Sequence, residues 1–530
     1  MRTFVPVRAT KAVLRVVGAV CAIMVLSSCN QAAERRSAKA SAEAAPTDAT
    51  GQPKAAAFDF GGVFDDTIAG TIDRTVIPRR PDGPPNIVLI IADDLGWPYL
   101  GFLGDDNVMT PNMDVLGRGG AVFETGHSAA NYCRPTLQSL ITGLYPTQYE
   151  QRAGAIAEAR MAASPPPPEV DTAREREIVL RRHQTAAIEE FETLPRILER
   201  SGYVSHQSGK WWEQSFRHGG FTHGMTDGWD WRDAAALGDR WFFTFMGGRG
   251  NEIGRSTMAP VTDFIADNAD RPFFLWYAPA LPHVPLNPPD TFYKYFENRD
   301  DLSESAKLYY ANIAWFDWGV GVLLDKLRQE RVFDNTLIVY INDNGWEQPP
   351  DEEYADEDIN FANGGPRGKT SFFETAFRTP IFFYWADEIA ARRDVDTLAH
   401  TIDVMPTILD YAGIEAPEGL PGYSLRPAIE GAPIDGARDF MIGSMDRHRA
   451  GTDFRGRPVD GGSDHMGRDL NGYYRRDRRW HFVWLPKTDE TALYDLQSQD
   501  AAPADVAAAH PDLVAEFKAD IDAWRRQYDG

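Results

Sequence analysis

The chain has 530 residues and a formal net charge of −24, from 54 Lys and Arg against 78 Asp and Glu. That balance argues against nucleic acid as a partner, because sequence-independent binding needs a basic surface. It also argues against electrostatic adhesion to anionic lipid.

Residues 1–28 carry an export signal: Arg2, Arg8, Lys11 and Arg15 precede an apolar core from Val16 to Leu26. The core is too short to span a bilayer comfortably. It ends in Leu26-Ser27-Ser28-Cys29, which resembles a bacterial lipoprotein box. The resemblance implies cleavage before Cys29, a lipid on Cys29, and a lipid-anchored place in the bacterial cell envelope. Asn30, where an acidic residue would signal inner-membrane retention, points to the outer membrane. Losing residues 1–28 removes four basic residues and no acidic one, so the mature charge is −28. Residues 29–80 hold Cys29 and an Ala-, Ser-, Thr- and Pro-bearing stretch without apolar period, expected to be a flexible tether. The remaining chain of about 450 residues can bury a large core and is long for one domain. A main domain over 81–439 and a smaller one over 440–530 are expected.

Asn86–Ala92 is a continuous apolar run, as in a strand covered on both faces of a parallel sheet. It ends in Asp93-Asp94-Leu95-Gly96. Pro135 and Gly143 suit the start and stop of a helix, so Cys133 is expected just before a helix N-terminus. Residues 151–190, with prolines from Pro165 to Pro168 and a charged stretch from Glu169 to Arg182, interrupt the pattern. They suggest an inserted surface segment, either a lid near the site or a solvated insertion. Leu194–Ser201 and Ala306–Gln329 have helical patterns; Phe273–Tyr277, Thr336–Ile341 and Ile381–Trp385 are further apolar strand candidates. Strand and helix alternating in this way predict an α/β fold, with a large mostly parallel central sheet flanked by helices. From about residue 440 the texture changes. Phe440–Ser444, Gly472–Arg476, Trp480–Leu485 and Ala492–Leu496 predict a small C-terminal antiparallel sheet, and Pro511–Gln527 a covering helix.

Two buried strands deliver Asp93 and Asp94, and Asp343 and Asn344, at their C-terminal ends, the edge where open α/β sheets bind ligands. These are hard oxygen donors, which favour Ca²⁺ or Mg²⁺ over zinc. Asp-Asp and Asp-Asn-Gly also form turns, but two such ends together with a cysteine at a helix start point to chemistry. Cys21 and Cys29 belong to the export segment, so Cys133 has no disulfide partner in the folded domain. Free cysteine is commonly a small buried apolar residue; at a helix start, the backbone N–H groups favour a thiolate and bind anions.

From Pro85 to Trp524 the chain resembles the sulfatase family of the alkaline-phosphatase-like superfamily. The resemblance rests on motifs in the expected order: Pro85–Gly96, Thr110-Pro111-Asn112-Met113-Asp114, Leu140–Gly143, Gly202-Tyr203, Gly209-Lys210-Trp211 and Pro272–Leu275. Pro282-His283, Asp343-Asn344-Gly345, Gly368-Lys369, Glu374, Arg378-Thr379-Pro380, Asp403–Thr407 and Leu493–Leu496 follow. It implies an alkaline-phosphatase-like sandwich and hydrolysis of a sulfate ester. Cys133 matches the cysteine that a formylglycine-generating enzyme oxidises to formylglycine, whose hydrate attacks sulfur. Asp93, Asp94, Asp343 and Asn344, with Cys133 beside them, match the site of a divalent metal, usually Ca²⁺, that polarises the sulfate. Lys210 and Lys369 match lysines that hold sulfate oxygens, and His283 matches a histidine beside the bridging oxygen that can protonate the leaving alcohol. Arg367 is an alternative to Lys369 as the cation. The implied substrate is a sulfated small molecule or glycan.

Two positions depart from the family pattern. Leu137 stands where an arginine usually follows the cysteine by one helical turn. Trp212 stands where a histidine often contacts the nucleophile; as an aromatic it contributes shape and stacking to substrate binding but cannot titrate. Glu213, Arg217 and His218 are candidates to compensate. His127, His206, His218 and His223 are expected to be structural or exposed. The departures leave two alternatives to a sulfatase: a phosphodiester or phosphonate hydrolase on the same scaffold, and a non-catalytic glycan-binding lipoprotein.

Overall fold

The computed structural model describes residues 83–232, 244–346, 367–369, 371–445, 472–498 and 504–528. The export segment, Cys29 and the tether expected over residues 1–80 lie outside them. The strands of the main sheet are β1 (Asn86–Ala92), β2 (Ala121–Phe123), β3 (Val204–Gly209), β4 (His223–Gly224), β5 (Phe273–Ala278), β6 (Thr336–Asn342), β7 (Ile381–Tyr384) and β8 (Arg392–Asp394). They form an eight-stranded sheet in the order β4-β3-β5-β1-β6-β7-β2-β8. Pairing is parallel except on the two sides of β7. Every residue of β1, β5 and β6 is buried, as their unbroken apolar runs require.

Helices cover the faces. Glu304–Gln329 is capped by the Ser303 side chain, which accepts from the Ala306 N–H, and buries residues from Tyr309 to Leu327. The insertion is more ordered than a solvated loop. Pro146–Ala163 and Ala173–Ala186 are two helices, the second opened by a Thr172–Glu175 capping box. Ala153, Val170, Ile178 and Val179 from this region join the main apolar core. The heavily charged sequence of the second helix hides this, because its apolar positions are few.

The smaller sheet comprises β9 (Met441–Met445), β10 (Gly472–Arg476), β11 (Trp480–Leu485) and β12 (Glu490–Asp495), antiparallel in the order β12-β11-β10-β9. The closing helix, Pro511–Tyr528, packs Phe517, Ile521 and Trp524 against Ile442, Tyr473 and Phe482. This sheet meets the main one just ahead of Cys133: Ser444 N–H donates to Ala129 O at 3.0 Å and Tyr474 OH to Ser128 O at 2.8 Å.

Candidate active site

The register between β1 and β6 builds the site. Ala92 pairs with Asn342, so the next residues, Asp93 and Asp343, leave the sheet side by side. Asp94 N–H donates to Asp343 Oδ1 at 3.1 Å, and Asn344 Nδ2 donates to Asp94 Oδ1 at 2.7 Å. Asp94 adopts φ 63°, a left-handed conformation that a short polar side chain tolerates. Tyr309 holds it there, donating to Asp94 O at 2.7 Å and accepting from Gly96 N–H at 3.2 Å.

Cys133 is the first residue of the helix Cys133–Thr142, with Tyr132 as its N-cap. The helix therefore starts two residues before Pro135, which is possible because a first-turn N–H has no helical partner to lose. Gly143 ends it at φ 70°. Cys133 Sγ lies 3.8 Å from Asp93 Oδ1 and 3.9 Å from Asp94 Oδ1. Burial, and next the charge of Asp343, push its thiol up to about 12, so the thiolate expected from the helix start is not favoured. Here desolvation and a nearby carboxylate outweigh the helix N-terminus.

Lys210 follows β3 through Gly209, whose φ of +84° and a Cβ position 1.8 Å from Ala278 O admit only glycine. Its backbone is clamped, its N–H donating to Ala278 O at 2.7 Å and its O accepting from Trp276 Nε1 at 3.3 Å. Lys210 Nζ sits 2.6 Å from Asp93 Oδ1 and 3.1 Å from Cys133 Sγ. Lys369 Nζ lies 2.9 Å from Asp94 Oδ1 and 3.0 Å from Oδ2. Lys369, rather than Arg367, is thus the cation on Asp94. His283 Nε2 is 3.6 Å from Asp94 Oδ2, and its Nδ1 bonds Val284 O.

The electrostatics of this cluster follow from burial. Desolvation costs the charged form of every group, and partners decide what survives. Burial raises Asp93 to about 6 against the pull of Lys210, and it also raises Asp343. Burial acts on Asp94 too, but Lys369, His283 and Lys210 outweigh it and hold that carboxyl below the usual range. Burial lowers Lys210 and Lys369, yet Asp93 and Asp94 bring both ammonium groups above their ordinary value. Burial and Lys210 lower His283 to about 4, leaving a neutral imidazole.

The donor set fits a hard divalent cation. One ligand atom each from Asp93, Asp94, Cys133 and Asp343 can be chosen so that all lie within 4.8 Å of one another. Asp93 Oδ2, Asp343 Oδ2 and Asn344 Oδ1 are buried without a hydrogen-bond partner among the described residues. Three carboxylates face two ammonium groups here, so excess negative charge and orphaned oxygens coincide.

Of the remaining candidates, Trp212 borders the cluster. Trp212 is 7% exposed, edge-on to Phe245 at 5.0 Å, with Lys210 Nζ 5.8 Å from its ring centroid. It walls the lysine and offers a substrate little ring face. Leu137 joins the apolar core. Arg134, Gln138 and Tyr149 all bond the Glu213 carboxylate, and His218 Nδ1 bonds Ser215 Oγ. His127 is a buried core residue between Thr125 O and Glu374. His206 is buried and packs on Phe264, whereas His223 is exposed. Sequence reasoning missed Tyr309 and also Arg255, which donates to Ala280 O at 2.8 Å and His283 O at 2.7 Å and so holds the histidine loop. Both act on residues distant in the chain or through backbone atoms, and neither carries a local motif.

The sulfatase family model matches residues 85–414. The N-acetylgalactosamine-6-sulfatase of Canis lupus familiaris is 28% identical over 385 residues, covering 66% of this chain and 67% of the relative. The crystal structure of Ps i-CgsB in complex with k-i-k-neocarrahexaose superposes with TM-score 0.59 at 22% identity, covering 83% of this chain and 92% of the other. A phosphonate monoester hydrolase from Silicibacter pomeroyi superposes with TM-score 0.55 at 18% identity, covering 84% and 96%. These two likenesses bear on fold alone. The family match spans well over half of the chain, and the protein belongs to the sulfatase family.

Proposed function

We propose that the protein hydrolyses a sulfate ester, on a sulfated glycan or a smaller extracellular sulfate, with Cys133 oxidised to formylglycine. The reading rests on one observation: Cys133 Sγ lies against Lys210, Asp93 and Asp94 at 3.1, 3.8 and 3.9 Å, at a helix start. The sulfur marks where the oxygens of the hydrated aldehyde would lie. Asp93, Asp94, Asp343 and Asn344 would hold Ca²⁺ or Mg²⁺; the formylglycine would supply a nucleophilic hydroxyl and the cation would polarise the sulfate.

The chain's own residues do the rest. Lys210 and Lys369 present two buried ammonium groups where negative charge gathers on sulfate oxygens. His283 has its Nδ1 bonded to a carbonyl, so Nε2 is the ring atom free to face the leaving oxygen; in the neutral imidazole it is an acceptor, and it must take up a proton there before it can protonate that oxygen. Tyr309 and Arg255 fix the backbone at Asp94 and His283. Burial of the cluster excludes water and strengthens each of these contacts.

A formylglycine-generating enzyme is the partner this reading needs. Cys29 with its lipid would hold the mature chain in the bacterial envelope. Among the described residues, no helix is long and apolar enough to cross a membrane.

The test is mass analysis of the Cys133 peptide after expression in a host with the modifying enzyme, paired with turnover of 4-nitrophenyl sulfate and phosphate esters. Aldehyde at Cys133 with sulfate turnover is expected. An unmodified thiol and preferred phosphate or phosphonate turnover would favour the alternative hydrolase, which Leu137, Trp212 and the phosphonate hydrolase's shared fold recommend. Glycan binding without either activity would mark a binding protein.

A further inference from the structure

The loop that carries His283 contains three prolines, Pro279, Pro282 and Pro285, and a proline brings no N–H to close a turn. Donors from elsewhere make up the deficit. Ala280 O and His283 O accept from Arg255, Leu281 O accepts from Asp93 N–H, and Val284 O accepts from His283 Nδ1. Pro282 O and Pro285 O, on either side of His283, both accept from Asn312 Nδ2, at 3.3 and 3.5 Å. Pro285 O also accepts from Asn287 N–H at 3.0 Å. Pro282 O has Asn312 as its one donor among the described residues.

Asn312 sits uneasily in the core. It is fully buried, and its Oδ1 has no hydrogen-bond partner among the described residues. Carbonyls only accept, so the amide nitrogen has to face the loop, and the oxygen is left over. An orphaned buried oxygen costs about 1–3 kcal/mol, so stability alone does not account for an amide here. Local conflicts of this kind collect where a site needs them. The long helix Glu304–Gln329 shows what the amide serves. Tyr309, three residues earlier, holds Asp94, and the ring of Trp315, three residues later, lies 5.4 Å from the Arg255 guanidinium. Residues three apart share one ridge of a helix. A single ridge thus fixes the backbone at Asp94 and, through Asn312, the loop of His283.

We propose that Asn312 is a positioning residue for His283: by holding the carbonyls on both sides of it, the amide aims Nε2 at the oxygen that leaves sulfur. The inference rests on the reading of His283 as the group that protonates that oxygen. Asn312 is fully buried and acts only through the loop. Its effect therefore scales with how much the leaving oxygen needs a proton. A phenoxide needs one more than a nitrophenoxide of nearly the same shape does.

The test compares kcat/KM for phenyl sulfate and 4-nitrophenyl sulfate in the modified enzyme, for the parent and Asn312→Ala, each with and without His283→Ala. Asn312→Leu, close in shape and without the donor, is the second variant. Loss of the donor should lower phenyl sulfate turnover by about tenfold or more, the scale set by a misplaced catalytic group, and 4-nitrophenyl sulfate turnover by much less. In the His283→Ala background the same substitution should add little, because residues that act as one unit are not additive. Equal losses on both esters, or a full further loss without His283, overturn the proposal. If the parent prefers phosphonate esters, the same pair of leaving groups is compared on those. A readout independent of turnover is the His283 Nδ1 proton, observed by NMR in histidine-labelled protein and assigned with His283→Gln. Loss of the donor should shift or broaden that signal while the buried His481 signal stays in place, which reports that the variant is folded. An unmoved His283 signal overturns the proposal. A parent that cleaves no sulfate ester strikes the sulfatase reading instead, and the NMR signal then decides the role of Asn312.

Discussion

Arg134 and Glu213 face each other through two hydrogen bonds, Nε to Oε1 at 2.8 Å and Nη2 to Oε2 at 3.1 Å, buried at both ends. The pair ties the residue after Cys133 to the segment that carries Lys210. Gln138 and Tyr149 bond the same carboxylate at 3.0 and 2.9 Å, and Glu150 takes the other side of the guanidinium. Fork-to-fork geometry fixes orientation as well as distance. Glu213→Gln takes away one of the two carboxylates on Arg134, leaves Glu150 in place and weakens charge-assisted hydrogen bonds. It should cost about 1–3 kcal/mol of stability, read by denaturant unfolding. Arg134→Lys, with one point charge for a fork, should lower kcat more than it raises KM. Wild-type stability in Glu213→Gln would remove the pair from the architecture of the site.

The orphaned oxygens of Asp93, Asp343 and Asn344 lead to a ligand-linkage prediction. A cation that binds only the folded chain at a hundredfold excess over its Kd adds about 2.7 kcal/mol. Thermal unfolding with calcium against a chelator should show a higher Tm with the ion. Asp343→Asn should flatten the difference. A chelator-insensitive Tm in the parent would contradict a metal at this cluster.

His481 is buried in β11 with Nε2 bonded to Phe372 O at 2.9 Å. Burial lowers it to about 3. The unfolded chain takes up this proton near the ordinary value of about 6.5, the folded chain only near 3. Between those values the unfolded state binds more protons, so stability falls as pH drops. The slope from this group approaches about 1.4 kcal/mol per pH unit. His481→Gln keeps a side-chain donor without titration, and its unfolding free energy should decline less between pH 6 and 4. Identical slopes for the two proteins would refute the assignment.

Ile178 is fully buried in the main core although it lies in the inserted segment. Ile178→Ala should cost about 2–5 kcal/mol, as truncation of a packed core residue does. A cost within about 0.5 kcal/mol, typical of surface positions, would return the insertion to the status of a solvated appendage.

Much of this protein is legible in one dimension. The runs Ile87–Ala92 and Leu337–Ile341 are continuously apolar because both faces of a central parallel strand are covered, and the polar residues just past them announce the catalytic edge. Strands β10 and β11 match the sequence expectation residue for residue, because alternating bulky residues and flanking turns define them locally. The helix start at Cys133 was less legible, since proline tolerates several first-turn positions.

Sequence by itself determined which side chains could carry chemistry: hard oxygen donors at two strand ends, one unpaired cysteine, two lysines and a histidine in a recognisable order. Only the tertiary structure decided which of them meet. The register of β1 against β6 sets Asp93 beside Asp343, and a phenol 215 residues from Asp94 holds that residue's strained backbone. It also decided that Arg134 turns to Glu213 and that Trp212 walls Lys210. Those outcomes depend on distances across the fold and on desolvation, quantities that arise only when remote segments pack together and exclude water.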